Sequence, residues 1–377
     1  MRTRDHIIDA IDQAIDFDMV FLLTTLMLLV MGTIMIFSSS YFLSKENSGS
    51  PLAMTVKHLV HLVMGAGVMI AIIRTDYRRF NTQTFALALI GIGTLLCVLC
   101  FIPGVGISGG HAKRWVRLIF VTLQASEVAK IALIFYLAYY LSKKSKMIDD
   151  FTYGVMPVLA VVCVNVLLIF LEPDFGTAAT IGLWSIFILF IAGMRLKHLL
   201  NLSLAGIPIV ILLMIFEPYR RARLMAFAHP WQDMQGISYQ IVQSMVAFAN
   251  GGFLGSGLGE STQKLFFLPA PHTDFIFSVL GEELGFIGVI FVLCLFGIWL
   301  WRGFTIALAT NDSFGFFLAL SAVSLVALQA IVNMGVAVAA FPTTGVTLPF
   351  FSYGGSSLMT VMVTSGIVLS VSRGARV

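Results

Sequence analysis

Charge is the scarcest ingredient of this sequence. Asp, Glu, Lys and Arg make up 11% of its 377 residues, against 58% hydrophobic ones, whereas a soluble globular domain carries roughly 25% charged residues. Apolar stretches of around 20 residues recur along the whole length, which excludes a water-soluble domain and defines a polytopic membrane chain. Strict apolar–polar alternation is missing too, so a transmembrane β-barrel is excluded. Cysteine is sparse: Cys97, Cys100, Cys163 and Cys294 all lie in apolar runs. Cys97 and Cys100 have CxxC spacing, but without a second pair or a nearby histidine they read as span packing, and no zinc site or disulfide framework is implied. A small-residue cleavage site is absent after the first apolar run, and Asp5, Asp9, Asp12 and Asp16 precede it, so a retained first span is expected rather than a removed signal peptide. The glycine-rich "NGGFLGSGLGES" (Asn250–Ser261) follows no strand and lacks the Gly-Lys-Ser/Thr ending of a phosphate loop; it reads as a tight turn.

What is present is an all-α pattern of about ten transmembrane helices, near residues 19–42, 56–74, 83–102, 124–142, 152–171, 177–194, 199–216, 275–301, 313–340 and 354–372. Pro157 and Pro208 fall inside two of them as tolerable kinks. With the N-terminus inside, 13 of the 23 basic residues fall in cytoplasmic segments, so both termini are expected in the cytoplasm. The expected organisation is a cytoplasmic segment 1–18, a membrane domain 19–372 and a tail 373–377. Two outer segments are long, 104–130 and 217–274, and long loops in compact proteins are usually functional. They also hold two basic clusters on the unexpected side, Lys113/Arg114/Arg117 and Arg220/Arg221/Arg223. Within the larger loop, Ser238–Ala249 has the period of an amphipathic helix with Ser238 as N-cap, lying on the membrane surface or packed on the spans. "LEPDFG" and "FEPYRR" both place Glu-Pro at the outer end of a span.

The polar residues that interrupt apolar sequence are the candidates for chemistry. Asp274 stands at the outer mouth of the eighth span behind Pro269 and Pro271, where a carboxylate either caps the helix or, with a raised pKa, serves as a general base. Glu282 and Glu283 lie a few turns further in and, being adjacent, face different sides; structural support is expected of at least one. Glu127 and Lys130 share a face of the fourth span with Gln124, as an ion pair or as a holder of an anionic group. Gln329 and Asn333 share a face of the ninth span, where interhelical hydrogen bonding is expected. Arginines bind phosphate bidentately, so Arg114, Arg220 and Arg223 beside a carboxylate and glycine turns suggest a lipid-linked phosphate or pyrophosphate. Lys264, His272 and Thr273 are further candidate contacts, with Ser352 and Gly354 as supporting residues.

"PHTDFIFSVLGEELGFIG", "FPTTGVTLPFFSYGGSSL", "YQIVQSMVAFANGGFLGSGLG", "RW" at Arg114 and "EPDFGTA" at Glu172 together resemble the SEDS family of bacterial cell-wall polymerases, over nearly the whole chain. The resemblance implies a ten-span fold in the bacterial cytoplasmic membrane and a peptidoglycan glycosyltransferase that joins lipid II units with inversion, releasing undecaprenyl pyrophosphate. It is greatest to the members that serve division, with elongation polymerases close behind. It also implies an essential role for Asp274 and maps the family's substrate contacts onto Arg114, Trp115, Gln124, Glu127 and Lys130. The implied partners are a class B penicillin-binding transpeptidase, divisome proteins and membrane lipid; nucleic acid is not an expected partner. No cofactor is certain, and a divalent cation, Mg2+ or Mn2+, is the one the pyrophosphate chemistry leaves room for. Ala125 stands where the family usually has proline, and Pro271 where an acidic or amide residue often precedes the histidine. Two rival roles remain open on the residues alone: a lipid II flippase, and a scaffold for other enzymes.

Overall fold

A computed structural model describes residues 17–109, 112–117, 122–265 and 267–375. Arg2, Arg4, the four N-terminal aspartates, Arg376 and the Lys113 side chain lie outside the described residues. In chain order the helices are α1 Met19–Ser48, α2 Ala53–Arg74, α3 Gln83–Leu99, α4 Ala125–Lys144, α5 Met156–Leu171, α6 Phe175–Ile191, α7 Leu196–Phe216, α8 Pro218–Ala228, α9 Tyr239–Gly251, α10 Ile276–Ala309, α11 Ser313–Ala337 and α12 Gly355–Ser372. Eight are long and apolar enough to cross a bilayer, and α3 and α6 are apolar helices of 17 residues. All ten expected spans are therefore helices of a polytopic membrane fold.

Helix starts follow the sequence chemistry. The carboxylates of Asp18, Asp174 and Asp312 accept from the backbone N–H groups of Phe21, Thr177 and Gly315 at the starts of α1, α6 and α11, satisfying donors a helix start leaves free. α4, α11 and α12 form the buried centre, whereas no residue of α7 is buried. Glycines let α2 and α12 come close. A Cβ on Gly355 would meet the His61 ring at 2.4 Å, and one on Gly65 would meet Met362 Sδ at 2.5 Å. This is the small-residue packing expected where lipid removes the hydrophobic drive between helices.

The segment after α3, expected to be loop, folds into an antiparallel sheet of β1 Gly106–Gly109, β2 Ala112–Arg117 and β3 Thr122–Gln124, in the order β1-β2-β3. Pro157 lies inside the span Phe151–Leu171 as expected, just past the π-helical turn Phe151–Val155 and in the first turn of α5. Pro208 is inside α7 as expected. Ser238 makes no side-chain cap on α9. That helix is packed on the spans: Ser244 Oγ lies 2.6 Å from Ser278 Oγ and donates to the Ala337 carbonyl, so a buried hydroxyl pair joins α9, α10 and α11.

The glycine-rich turn after α9 repairs a break in α10. Gly285 has φ 64°, ψ −166°, which interrupts the helix. Ser256 N and Gly257 N donate to the carbonyls of Glu282 and Glu283 at 2.9 and 3.0 Å, while Phe286 N and Ile287 N donate to Gly252 O and Phe253 O. Inside a bilayer such freed backbone groups must find partners within the protein. A Cβ on Gly255 would stand 2.2 Å from Glu283 O, so glycine is required for the loop backbone to lie this close.

Candidate active site

Asp274 precedes α10 and does not cap it; the cap position is Phe275 and makes no side-chain bond. Its position comes instead from three consecutive carbonyls, each held by a different donor. Tyr353 N donates to His272 O at 2.8 Å, Ser352 Oγ to Thr273 O at 2.6 Å, and Asn333 Nδ2 to Asp274 O at 2.9 Å. Asn333 Nδ2 also donates to Val346 O at 2.8 Å. The stretch 341–354 and α11 thus hold the His-Thr-Asp segment rigidly. Gly345, with φ 80°, brings bare backbone past the carboxylate: a Cβ there would lie 3.9 Å from Asp274 Oδ2.

Electrostatics around this half-buried carboxylate pull both ways. Burial raises its pKa above the ordinary carboxylate range and Asp174 adds to the rise, while Arg223, Arg114 and a hydrogen bond from Thr273 oppose it. Arg114, on β2, donates through Nη2 to Pro173 O at 2.7 Å and holds Nη1 3.6 Å from Asp174 Oδ2. Arg223, on α8, donates through Nη1 to Thr343 O at 3.0 Å and through Nη2 to the Tyr219 hydroxyl. Arg220 stacks over Phe170 at 4.3 Å and Phe175 at 5.7 Å. The three arginines line one cavity of about 230 Å3 with Pro173, Gly176, Glu217 and Thr343–Thr344. The two Glu-Pro span ends do share a site: Pro173 and Glu217 both border this cavity.

Other predicted residues fall elsewhere. Trp115 and Gln124 pair across β2 and β3, and Gln124 N donates to Ser356 Oγ at 3.1 Å. Glu127 and Lys130 form a buried pair at 2.7 Å on α4, with Glu127 Oε2 unpartnered, and neither acts on Asp274. His272 stands edge-on to Tyr353 with Nδ1 unpartnered, and burial lowers its pKa, so the ring is neutral near pH 7. Gln329 is buried one turn before Asn333. Gly354 is not the glycine that close packing demands; Gly355 is.

Lys264 lies away from this cavity. It is buried, with Nζ 2.8 Å from Glu283 Oε1 and 3.1 Å from Ser38 Oγ. Ser38 Oγ in turn donates to Glu283 at 2.6 Å. Glu282 accepts from Asn250, Ser261, Gln263 N and both the N and Oγ1 of Thr262. Both glutamates are structural, one binding the loop to α10 and the other binding loop and α10 to α1.

Sequence reasoning missed Asp174 and Glu172. Glu172 is buried beside the Cys97 and Cys100 thiols, and burial, then Asp174, push its pKa up to about 8 against those thiols and Arg114. The "EPDFG" string was the available signal. Two acids in three residues at a span end are costly, but nothing local says they face Arg114. Among the described residues no group of three or more His, Cys, Asp or Glu side chains is placed to cage a metal ion.

A bundle of apolar helices with three arginines lining one cavity, and the Asp274 carboxylate within reach of two of their charges, defines a polytopic membrane protein with a cationic cavity. The chain belongs to the FtsW/RodA/SpoVE family, described as "Cell cycle protein", whose pattern residues 18–377 match. It is 42% identical to a probable peptidoglycan glycosyltransferase FtsW of Trichlorobacter lovleyi, covering 96% of this chain and 94% of that one. A protein of the same name from Geobacter metallireducens is 40% identical over 94% of each chain. Stage V sporulation protein E of Bacillus subtilis is 39% identical over 95% of this chain and 98% of that one. Among solved structures, a chain of a peptidoglycan synthase complex that coordinates polymerization and crosslinking superposes with a TM-score of 0.76 at 28% identity, over 95% of this chain and 98% of the other. The Thermus thermophilus rod shape determining protein RodA gives 0.69 at 25%, over 96% and 98%.

Proposed function

We propose that this protein is a peptidoglycan glycosyltransferase that polymerises lipid II at the outer face of the bacterial cytoplasmic membrane during septal wall synthesis. The observation that carries the reading is that the Asp274 carboxylate lies close enough to Arg114 and Arg223, two of the three arginines lining the cavity, to feel both charges. In one inverting step, Asp274 takes the proton from the 4-hydroxyl of the acceptor sugar as its oxygen bonds to the anomeric carbon of the donor. The bond from that carbon to the pyrophosphate oxygen breaks on the opposite face, and undecaprenyl pyrophosphate leaves with the electron pair. Arg114, Arg220 and Arg223 stand where that negative charge develops, and fixed cations in a low-dielectric pocket stabilise it more than water does. His272, neutral, stands edge-on to Tyr353 two residues before the base; Glu127 and Lys130 pair on α4, the helix that follows β3.

A divalent cation, Mg2+ or Mn2+, would supply further neutralisation of the pyrophosphate through the substrate's own oxygens. The proposed partners are a class B penicillin-binding transpeptidase, which crosslinks the strands made here, and the divisome proteins that place the pair at the septum. Both termini lie in the cytoplasm in this arrangement. The test is incubation of purified protein with lipid II, with and without the transpeptidase, beside Asp274→Ala. Glycan strands from the native protein and none from a well-folded variant support the reading; equal polymer from both overturns it.

A further inference from the structure

The opposite end of the bundle carries a second cleft that the polymerase reading does not use. The C-termini of α2 and α12 and the 3-10 turn Tyr77–Phe80 surround a cavity of about 270 Å3, lined by Arg74, Asp76, Arg78, Arg79, Ser370 and Arg373. Its walls are fixed. Ser370 Oγ donates to Thr75 O at 2.7 Å, Arg373 Nη1 donates to Ile73 O at 2.9 Å, and the buried Tyr77 donates its hydroxyl to Asp312. Two carboxylates face the group. Asp76 accepts from Arg78 N at 2.9 Å, and Asp312 lies 3.8 Å from Arg78 Nε. Among the described residues, neither of these carboxylates pairs with Arg74 or Arg79. Both arginines are exposed and paired with no other described carboxylate.

Basic residues on this face also serve topology, but that role requires only that they sit in the loop. It does not require arginines from two helix ends and a turn to converge on one cleft with hydrogen-bonded walls. Guanidinium groups bind phosphate oxygens in bidentate fashion, and basic pockets between membrane helices at the cytoplasmic surface suit anionic headgroups. We propose that this cleft binds a phosphate group, presented by an anionic phospholipid headgroup of the inner leaflet.

The test is native mass spectrometry of the full chain in detergent, titrated separately with phosphatidylglycerol, phosphatidylcholine and inorganic phosphate. Two variants removing equal charge are compared, Arg74→Gln/Arg79→Gln and Lys143→Gln/Lys146→Gln, the second on exposed lysines at and just beyond the end of α4. The native protein and the lysine variant should retain one phosphatidylglycerol, and the arginine variant should bind it roughly 30-fold more weakly. The exposed Arg74 and Arg79 side chains make no hydrogen bond or ion pair among the described residues, and an unchanged melting temperature checks that folding is intact. Equal weakening in both variants, equal retention of phosphatidylcholine, or full binding by the arginine variant would overturn the proposal. Arginine-dependent binding of inorganic phosphate alone would support the cleft and give it a soluble source.

Discussion

Asp274 is a base only when ionised, so its surroundings set the pH range of activity. Burial lifts its pKa and two arginines hold it down. Activity should therefore fall as pH drops through a midpoint above the ordinary carboxylate range. Arg223→Gln removes the larger of the two charges that lower the pKa, so the acid limb of the pH–rate profile should move to higher pH. A limb that stays or moves to lower pH would contradict the placement of Arg223 beside the base. Asp274→Ala should cost at least the roughly 10²–10⁴-fold of a lost general base, with an unchanged melting temperature. Glu172 titrates in the opposite sense to a salt-bridged acid. Its folded pKa of about 8 exceeds the ordinary glutamate value of 4.5, so the folded state holds more protons between those pH values, and stability declines as pH rises through that window. Glu172→Gln should flatten this decline, read as melting temperature from pH 5 to pH 8. Asp274 was legible because a carboxylate beside a Pro-rich turn is anomalous in so apolar a chain. Asp174 was not, because its significance lies in Arg114, which is 60 residues away in sequence and close only in the fold.

At the scale of elements, the loop 250–264 and the broken α10 form one unit. Backbone groups on each side of Gly285 pair with the loop, Glu282 gathers its polar atoms, and Glu283 and Lys264 tie it to α1. Breaking a buried ion pair by removing one partner costs about 3–5 kcal/mol, whereas replacing both is often neutral. Lys264→Met should therefore lower the melting temperature while leaving KM for lipid II unchanged in the folded fraction, and Lys264→Met/Glu283→Leu should recover much of the loss. A raised KM with no change in melting temperature would return Lys264 to the substrate. The ten apolar helices were legible because a bilayer demands long apolar runs, and each run is read locally. The three-stranded sheet was not, since its strands are three to six residues long and their pairing is set by the helices that flank them. The break at Gly285 was hidden for a related reason. Its signal was divided between two segments, the glycines of 251–259 and the Gly-Glu-Glu-Leu-Gly string, that look unrelated until they are docked.

For the whole molecule, burial is uneven. α4, α11 and α12 are mostly covered, and they hold Asp274 through Asn333 and the stretch leading to Ser352. The arginines of α8 instead arrive on an arm that continues from α7, a helix with no buried residue. Elements with few buried contacts open at low free energy, so amides of α8 should exchange with deuterium faster than those of α10 around Asp274 in the detergent-solubilised chain. Similar protection would show that the arm is as firmly seated as the core. The same distribution separates polymerase from transporter. Transporters place broken helix ends around substrate near the midplane. Here the broken α10 spends its freed groups on its own loop, and the cavity with its arginines lies at the mouth. Vesicles reconstituted with this protein and labelled lipid II should accumulate glycan strands on the side Asp274 faces, and label placed on the far leaflet should stay there. Label crossing without polymer would mean that the mouth is an exit for transport, and that Asp274 serves passage rather than bond formation.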